Sequence, residues 1–237
     1  DGLPGEELSI YLDELAELAR SHGTKVLYMQ AGDTVRSKRA AMRCLYPKAS
    51  DKAEDINDRC LVLQFEEGDI SALFGGDIST DVEEQLLRRR KWDKVLVFKA
   101  DHHGSRYANA EALLKCIRPE ITVASAGKDN RYGHPSPDAV QRIKESGSRF
   151  FCTIEGGRIR VRVIENKLVC ETYVRKLFSG TVLYQKQFNG HLVIHVSGFY
   201  CSFVFHTIAD RLFELIHGKS TALRLVFADC PLRAAGF

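Results

Sequence analysis

The sequence predicts an α/β protein, on three observations. Helix-spaced and strand-like apolar runs alternate along the chain, and the strand-like runs are short and bounded by Gly, Asp and Asn turns. Three of those runs end in polar clusters: Gly76-Asp77 after residues 71–74, Asp101-His102-His103-Gly104-Ser105 after residues 95–98, and Gly133-His134-Pro135 after residues 121–123. Strands lying side by side bring their ends into one row, so residues far apart in sequence can meet there.

Each element has its own signal. Residues 6–21 place Leu8, Tyr11, Leu12, Leu15, Leu18 and Ala19 at helical spacing, and Gly23 ends the helix. A short strand is expected over 25–29. Residues 60–65 and 70–74 flank Glu66-Glu67-Gly68-Asp69 and read as a hairpin whose second arm delivers Asp77. Thr80 and Glu83 form a capping box for a helix through about Lys91, whose basic end suits the helix dipole. Strand 95–98 precedes the histidine pair, a helix over 108–117 stops at Pro119, and strand 121–123 follows. A helix over 137–146 has Ser136 as its cap. Strands over 149–154, 158–164 and 167–173 are expected to follow, joined by turns at Glu155-Gly156-Gly157 and Glu165-Asn166.

The composition, 44% hydrophobic and 27% charged over 237 residues, suits a globular chain with a substantial core. A net charge of +3 gives no global sign of a nucleic-acid binder. The local basic strips Arg88-Arg89-Arg90-Lys91 and Arg158, Arg160, Arg162 read as solvated helix and strand faces. The seven cysteines form no CxxC pair, which argues against a zinc ribbon or a disulfide scaffold. The chain opens into an acidic helix with no signal-peptide pattern, and its first residue is Asp1.

One α/β unit is expected over 1–173 and an unassigned apolar segment over 174–237. Residues 187–209 contain no Asp, Glu, Lys or Arg, which is long enough for a membrane span of roughly 20 residues. Asn189, His191, His195, His206 and two serines would be costly in lipid, so the segment reads as buried and the chain as soluble.

Histidine and aspartate at strand ends are ligand types for zinc, and manganese accepts them as well. Asp77 follows two glycines, where a carboxylate can hold or bridge metal ions or else cap the helix that follows. Adjacent His102 and His103 point in different directions, so one faces the site and the other packs or binds substrate. With Asp101 before them and Gly104-Ser105 after, this loop offers a carboxylate, two imidazoles and a hydroxyl, suited to a phosphate or a metal. His134, in the run from Asn130 through Tyr132 to Pro135, is a third ligand candidate. Asn57 and Asp58 are further candidates, with an Asx turn as the alternative reading.

The runs Asn57-Asp58-Arg59-Cys60-Leu61-Val62-Leu63, Gly75-Gly76-Asp77-Ile78, His102-His103-Gly104-Ser105 and Gly127 to Pro135 carry a resemblance. In order and spacing they are similar to the metallo-β-lactamase-type domain at the carboxyl end of ComEC-type late-competence DNA-uptake channel proteins, over about residues 1–173. The resemblance implies an αββα sandwich with one or two zinc or manganese ions, hydrolysing phosphodiester bonds of incoming DNA. It implies Asp77 as the metal-bridging carboxylate, His103 and His134 as ligands, and His102 and Ser105 as contacts to the substrate phosphate. Asn57 stands near a position where many lactamase-fold hydrolases have a metal-binding histidine. The parent implied is a bacterial membrane channel with this domain outside the cytoplasm.

One departure is plain. Lactamase-fold hydrolases carry a His-x-His-x-Asp-His cluster after an early strand, whereas the histidine that precedes position 102 here is His22, on a helix. The sandwich is therefore expected to be incomplete in its amino-terminal half, the chain a fragment that starts after half its metal ligands, and an inactive fragment is one expected outcome. Two rival readings are a lactamase-fold hydrolase of a small ester or phosphorylcholine-type substrate, and a non-catalytic DNA-binding or scaffold domain.

Overall fold

The expected hairpin around Gly68 lies inside the larger of two sheets. The computed structural model describes residues 5–24, 26–164, 167–173, 181–187 and 193–196. After helix α1 (Gly5–Ser21), strands β1 (Thr34–Arg36), β2 (Ala40–Tyr46), β3 (Val62–Glu67) and β4 (Ile70–Phe74) run as an antiparallel meander. From β4 onward the pairing turns parallel through β5 (Val97–Lys99), β6 (Ile121–Ala124) and β7 (Arg149–Cys152). The order is β1-β2-β3-β4-β5-β6-β7, seven strands. Helices α2 (Thr80–Arg89), α3 (Glu111–Ile117) and α4 (Pro137–Glu145) are the crossovers, and parallel strands require such connections.

One helical turn, α5 (Thr153–Gly156), leads to β8 (Arg158–Ile164) and β9 (Lys167–Tyr173). With β10 (Thr181–Gln187) and β11 (Val193–Val196) they make a four-stranded antiparallel sheet, ordered β10-β9-β8-β11.

Period-two alternation in the strands decides the layers. Phe65, Ile70, Ala72, Ile121 and Val123 on one face of the large sheet pack against Ile159, Val161, Val163 and Leu168 of the small sheet. On the other face Val62, Leu73 and Phe98 meet Val82 and Leu86 of α2, Leu113, Leu114 and Ile117 of α3, and Ile143 of α4. Strands β5 and β6 are buried along their whole length, as parallel strands covered on both faces are. The result is the expected α/β architecture, a helix layer on a sheet on a second sheet, as in a lactamase-like sandwich.

Several expectations need correction. Residues 26–30 form no strand; Leu27 and Tyr28 are exposed, and β1 takes the edge position beside β2. Ser79, not Thr80, is the residue before α2, and the Glu83 carboxylate turns to the N–H groups of Asn109 and Ala110 instead of closing a capping box. Ser136 does cap α4, its hydroxyl accepting from Ala139 N–H at 3.2 Å. Strands β7 and β8 do not pair across Gly156-Gly157, because α5 carries the chain from one sheet to the other. Beyond Tyr173, β10 pairs with β9 and β11 with β8. Within residues 187–209, β11 is a strand, and residues 188–192 and 197–209 lie outside the described residues. Among the described residues no helix is long and apolar enough to cross a membrane.

Candidate active site

Because β4, β5 and β6 are parallel neighbours, the three polar clusters that follow them lie along one sheet edge. The loops are joined by their backbones: His102 N–H donates to Gly76 O at 2.9 Å, and Ser136 N–H donates to Gly104 O at 2.8 Å. Gly104, at φ +83°, sits against Pro135, and a Cβ there would come within 2.7 Å of the proline Cβ. No other residue fits that approach.

The loop after β5 is strained. His102 and His103 both adopt left-handed backbone conformations, φ 47° and 55°, which cost an L-residue about 1–2 kcal/mol each. Such outliers persist only where the surroundings impose them.

Asp77 and His103 form the centre of the site. His103 Nδ1–H donates to the Ser125 carbonyl oxygen at 2.7 Å, which aims Nε2 at Asp77 Oδ1, 3.4 Å away. Burial pushes the Asp77 carboxyl up, but the imidazole of His103, the Lys99 ammonium and the imidazole of His102 outweigh it and bring the group down to about 2. Asp77 is therefore a carboxylate at any neutral pH. Cys60 backs the turn, its Sγ accepting from Asp77 N–H at 3.5 Å.

His134 stands beside this couple. Its ring meets His102 edge-on at 5.5 Å and stacks on Tyr132 at 5.8 Å. Burial lowers both His102 and His134 below the ordinary imidazole range, so both are neutral near pH 7. The His134 Nδ1 is buried with no hydrogen-bond partner among the described residues, which suits a metal or substrate contact.

A catalytic zinc takes three protein ligands. Asp77 and His103 fit as two of them in chemistry and orientation. Among the described residues, however, no group of three His, Cys, Asp or Glu side chains closes on one point. The expected set of Asp77, His103 and His134 is thus a facing pair with a neighbour.

Other candidates serve the frame. Ser105 is 2% exposed, and its hydroxyl accepts from Tyr107 N–H within its own loop. Asp58 spends both carboxylate oxygens on Ser79, accepting from N–H at 2.7 Å and from the hydroxyl at 2.9 Å. Asn57 N–H donates to Asp55 in an Asx-type turn. The Asn130 carboxamide clamps the His134 loop, donating to Gly127 O and His134 O and accepting from His134 N–H. Tyr132 is exposed, with the Arg131 guanidinium 4.7 Å from its ring centre.

Asp101 is buried, with its carboxyl set against that of Glu83. Burial first, then the nearby Glu83 carboxylate, raises it well above the carboxylate range. The basic strip before Trp92 is engaged internally: Arg89 pairs with Asp51, and Arg90 donates to Gln64 and lies over Trp92. Sequence reasoning missed Glu83, Asn109, Ser125 and Arg142, which hold these loops. Their only local signals, a helix-start glutamate and an asparagine in a loop, have ordinary readings.

No protein-family model matches the chain. It is 30% identical over 150 residues to ComE operon protein 3 of Bacillus subtilis, covering 63% of this chain and 19% of that protein. It is 27% identical over 114 residues to Recombination protein 2 of Haemophilus influenzae, 48% of this chain and 14% of that one. Competence protein ComA of Neisseria gonorrhoeae is 31% identical over 109 residues, 45% of this chain and 16% of that one. The chain thus spans less than a fifth of the length of the curated relatives it matches. Over the matched stretch it is a relative of the ComEC-type competence proteins.

Proposed function

We propose that this chain carries the hydrolase centre of a competence DNA-uptake protein and that its substrate is a phosphodiester bond of DNA. The observation that supports this best is the Asp77–His103 couple, 3.4 Å apart on the rim of three parallel strands, with the His103 tautomer fixed by Ser125. A divalent ion, zinc or manganese, would be held by Asp77 and His103 with His134 beside them, and when bound it supplies a Lewis acid and a more acidic water. Asp77 brings a full negative charge to the site. Ser125 keeps the His103 ring from turning, and neutral His102 and His134 can each donate one N–H hydrogen bond to a phosphoryl oxygen. The membrane channel and the extracytoplasmic placement of the parent belong to the same proposal.

The test is cleavage of linear DNA by the chain with added manganese or zinc, beside Asp77→Ala. We expect activity to fall by at least about 100-fold in the variant. Undiminished metal-dependent cleavage by Asp77→Ala overturns the assignment.

A second reading, a non-catalytic DNA-binding module, is favoured by the lack of a three-ligand group among the described residues. Metal-free protein with no cleavage and with DNA affinity that falls steeply with salt would support it.

A further inference from the structure

We infer that Asn109 is the positioning residue of the histidine loop: its carboxamide holds His102 and His103 in their left-handed conformation. Neither histidine would choose that conformation, and the two occur in succession at φ 47° and 55°. Something outside the pair must impose it.

The Asn109 side chain meets the loop at both ends. Its Oδ1 accepts from Asp101 N–H at 2.9 Å and its Nδ2 donates to Asp101 O at 2.9 Å, so one carboxamide pairs both backbone groups of the residue before His102. The same Nδ2 lies 3.5 Å from Ser105 O, the second residue after His103. The backbone is thus pinned on entry and on exit, and the three residues between, His102, His103 and Gly104, must close the turn within that fixed span.

The clamp is itself anchored by two helices. Asn109 is fully buried, at φ 62°. Its N–H and that of Ala110 donate to the two oxygens of Glu83 on α2, at 2.5 and 2.7 Å. Its carbonyl accepts from Arg142 Nε on α4 at 3.0 Å, and Arg142 also donates to Arg106 O and Ala108 O. A buried carboxylate and a guanidinium make strong, directional anchors.

The catalytic consequence rests on the assignment of His102 and His103 to the active site, but the conformational one does not. The test uses the full 237-residue chain. Asn109→Gly removes the carboxamide while tolerating the positive φ, and Asn109→Asp keeps the shape and the acceptor but loses the donor. In isotope-labelled protein, backbone couplings and carbon shifts of His102 and His103 report their φ directly. We expect both histidines to lose the left-handed signature in Asn109→Gly, and at least one to do so in Asn109→Asp. With bis(p-nitrophenyl) phosphate and manganese we expect kcat to fall between about 10- and 100-fold with KM nearly unchanged.

Retention of left-handed signatures at both histidines in Asn109→Gly overturns the inference. Should that variant fail to fold, retention of both in Asn109→Asp overturns it equally. A wild-type chain that cleaves nothing counts against the proposed hydrolase and leaves the backbone measurement to decide the positioning role.

Discussion

The Asp101 carboxyl group fills the space that a side chain at Gly75 would need, so the strand-end glycine and the buried acid are one packing unit. Gly75→Ala should destabilise the chain by about 1–3 kcal/mol, the usual cost of overpacking. Combining it with Asp101→Ala should recover part of that loss. A denaturant cycle over the four proteins measures the coupling, and additive costs would refute the shared space.

Asp101 should also leave a signature in the dependence of stability on pH. Burial and the Glu83 carboxylate raise its pKa in the folded chain, while Lys99 opposes them. A carboxyl that holds its proton more tightly when folded contributes most below its unfolded pKa of about 4, and that contribution is lost as pH rises towards the folded value. The stability of wild type relative to Asp101→Asn should therefore decline between about pH 4 and pH 7. Melting temperatures of both proteins across that range check it, and a difference that does not change with pH rules it out.

The Arg89–Asp51 pair has the opposite sign. Two N–H···O contacts at 2.8 and 2.5 Å join the guanidinium to the carboxylate, and that hydrogen bonding lowers the Asp51 pKa. Its stabilisation is present above the ordinary carboxylate pKa and is lost as pH falls through the lowered one. Near pH 7, Arg89→Ala should cost about 1–3 kcal/mol. Arg89→Lys should recover less than half of that, because an ammonium cannot bind in bidentate fashion. Urea titrations of the three proteins decide.

Asp58 offers a test of frame against site. It ties residues just before β3 to the start of α2 through Ser79. Asp58→Ala should lower stability by about 0.5–2 kcal/mol, as loss of a helix-start acceptor does. The urea midpoint should move while the slope stays constant. A slope change would mean that the segment before β3 detaches as a unit.

Much of this was legible in the sequence because periodicity and strand-end chemistry are local. The β3–β4 hairpin, the crossover helices and the three clusters each show in a dozen residues or fewer. The β1–β2 pairing was not legible, since Thr34–Arg36 is too short to show alternation and takes its place only because β2 offers an edge. The use of Glu83 was hidden for a related reason. Three residues after a threonine at a helix start it reads as a cap, and only the fold brings the Asn109 and Ala110 N–H groups to it as better partners. The burial of Ser105, which the resemblance gives as a phosphate contact, was not legible either, because exposure cannot be read from a loop sequence.

The two backbone bonds that link the loops, His102 to Gly76 and Ser136 to Gly104, have a mechanical consequence. Peptide groups, unlike side chains, cannot swing aside without moving the chain on either hand. Asp77, His103 and His134 therefore belong to one stiff rim and not to three independent fingers, and a molecule that presses on any one loop is resisted by all three.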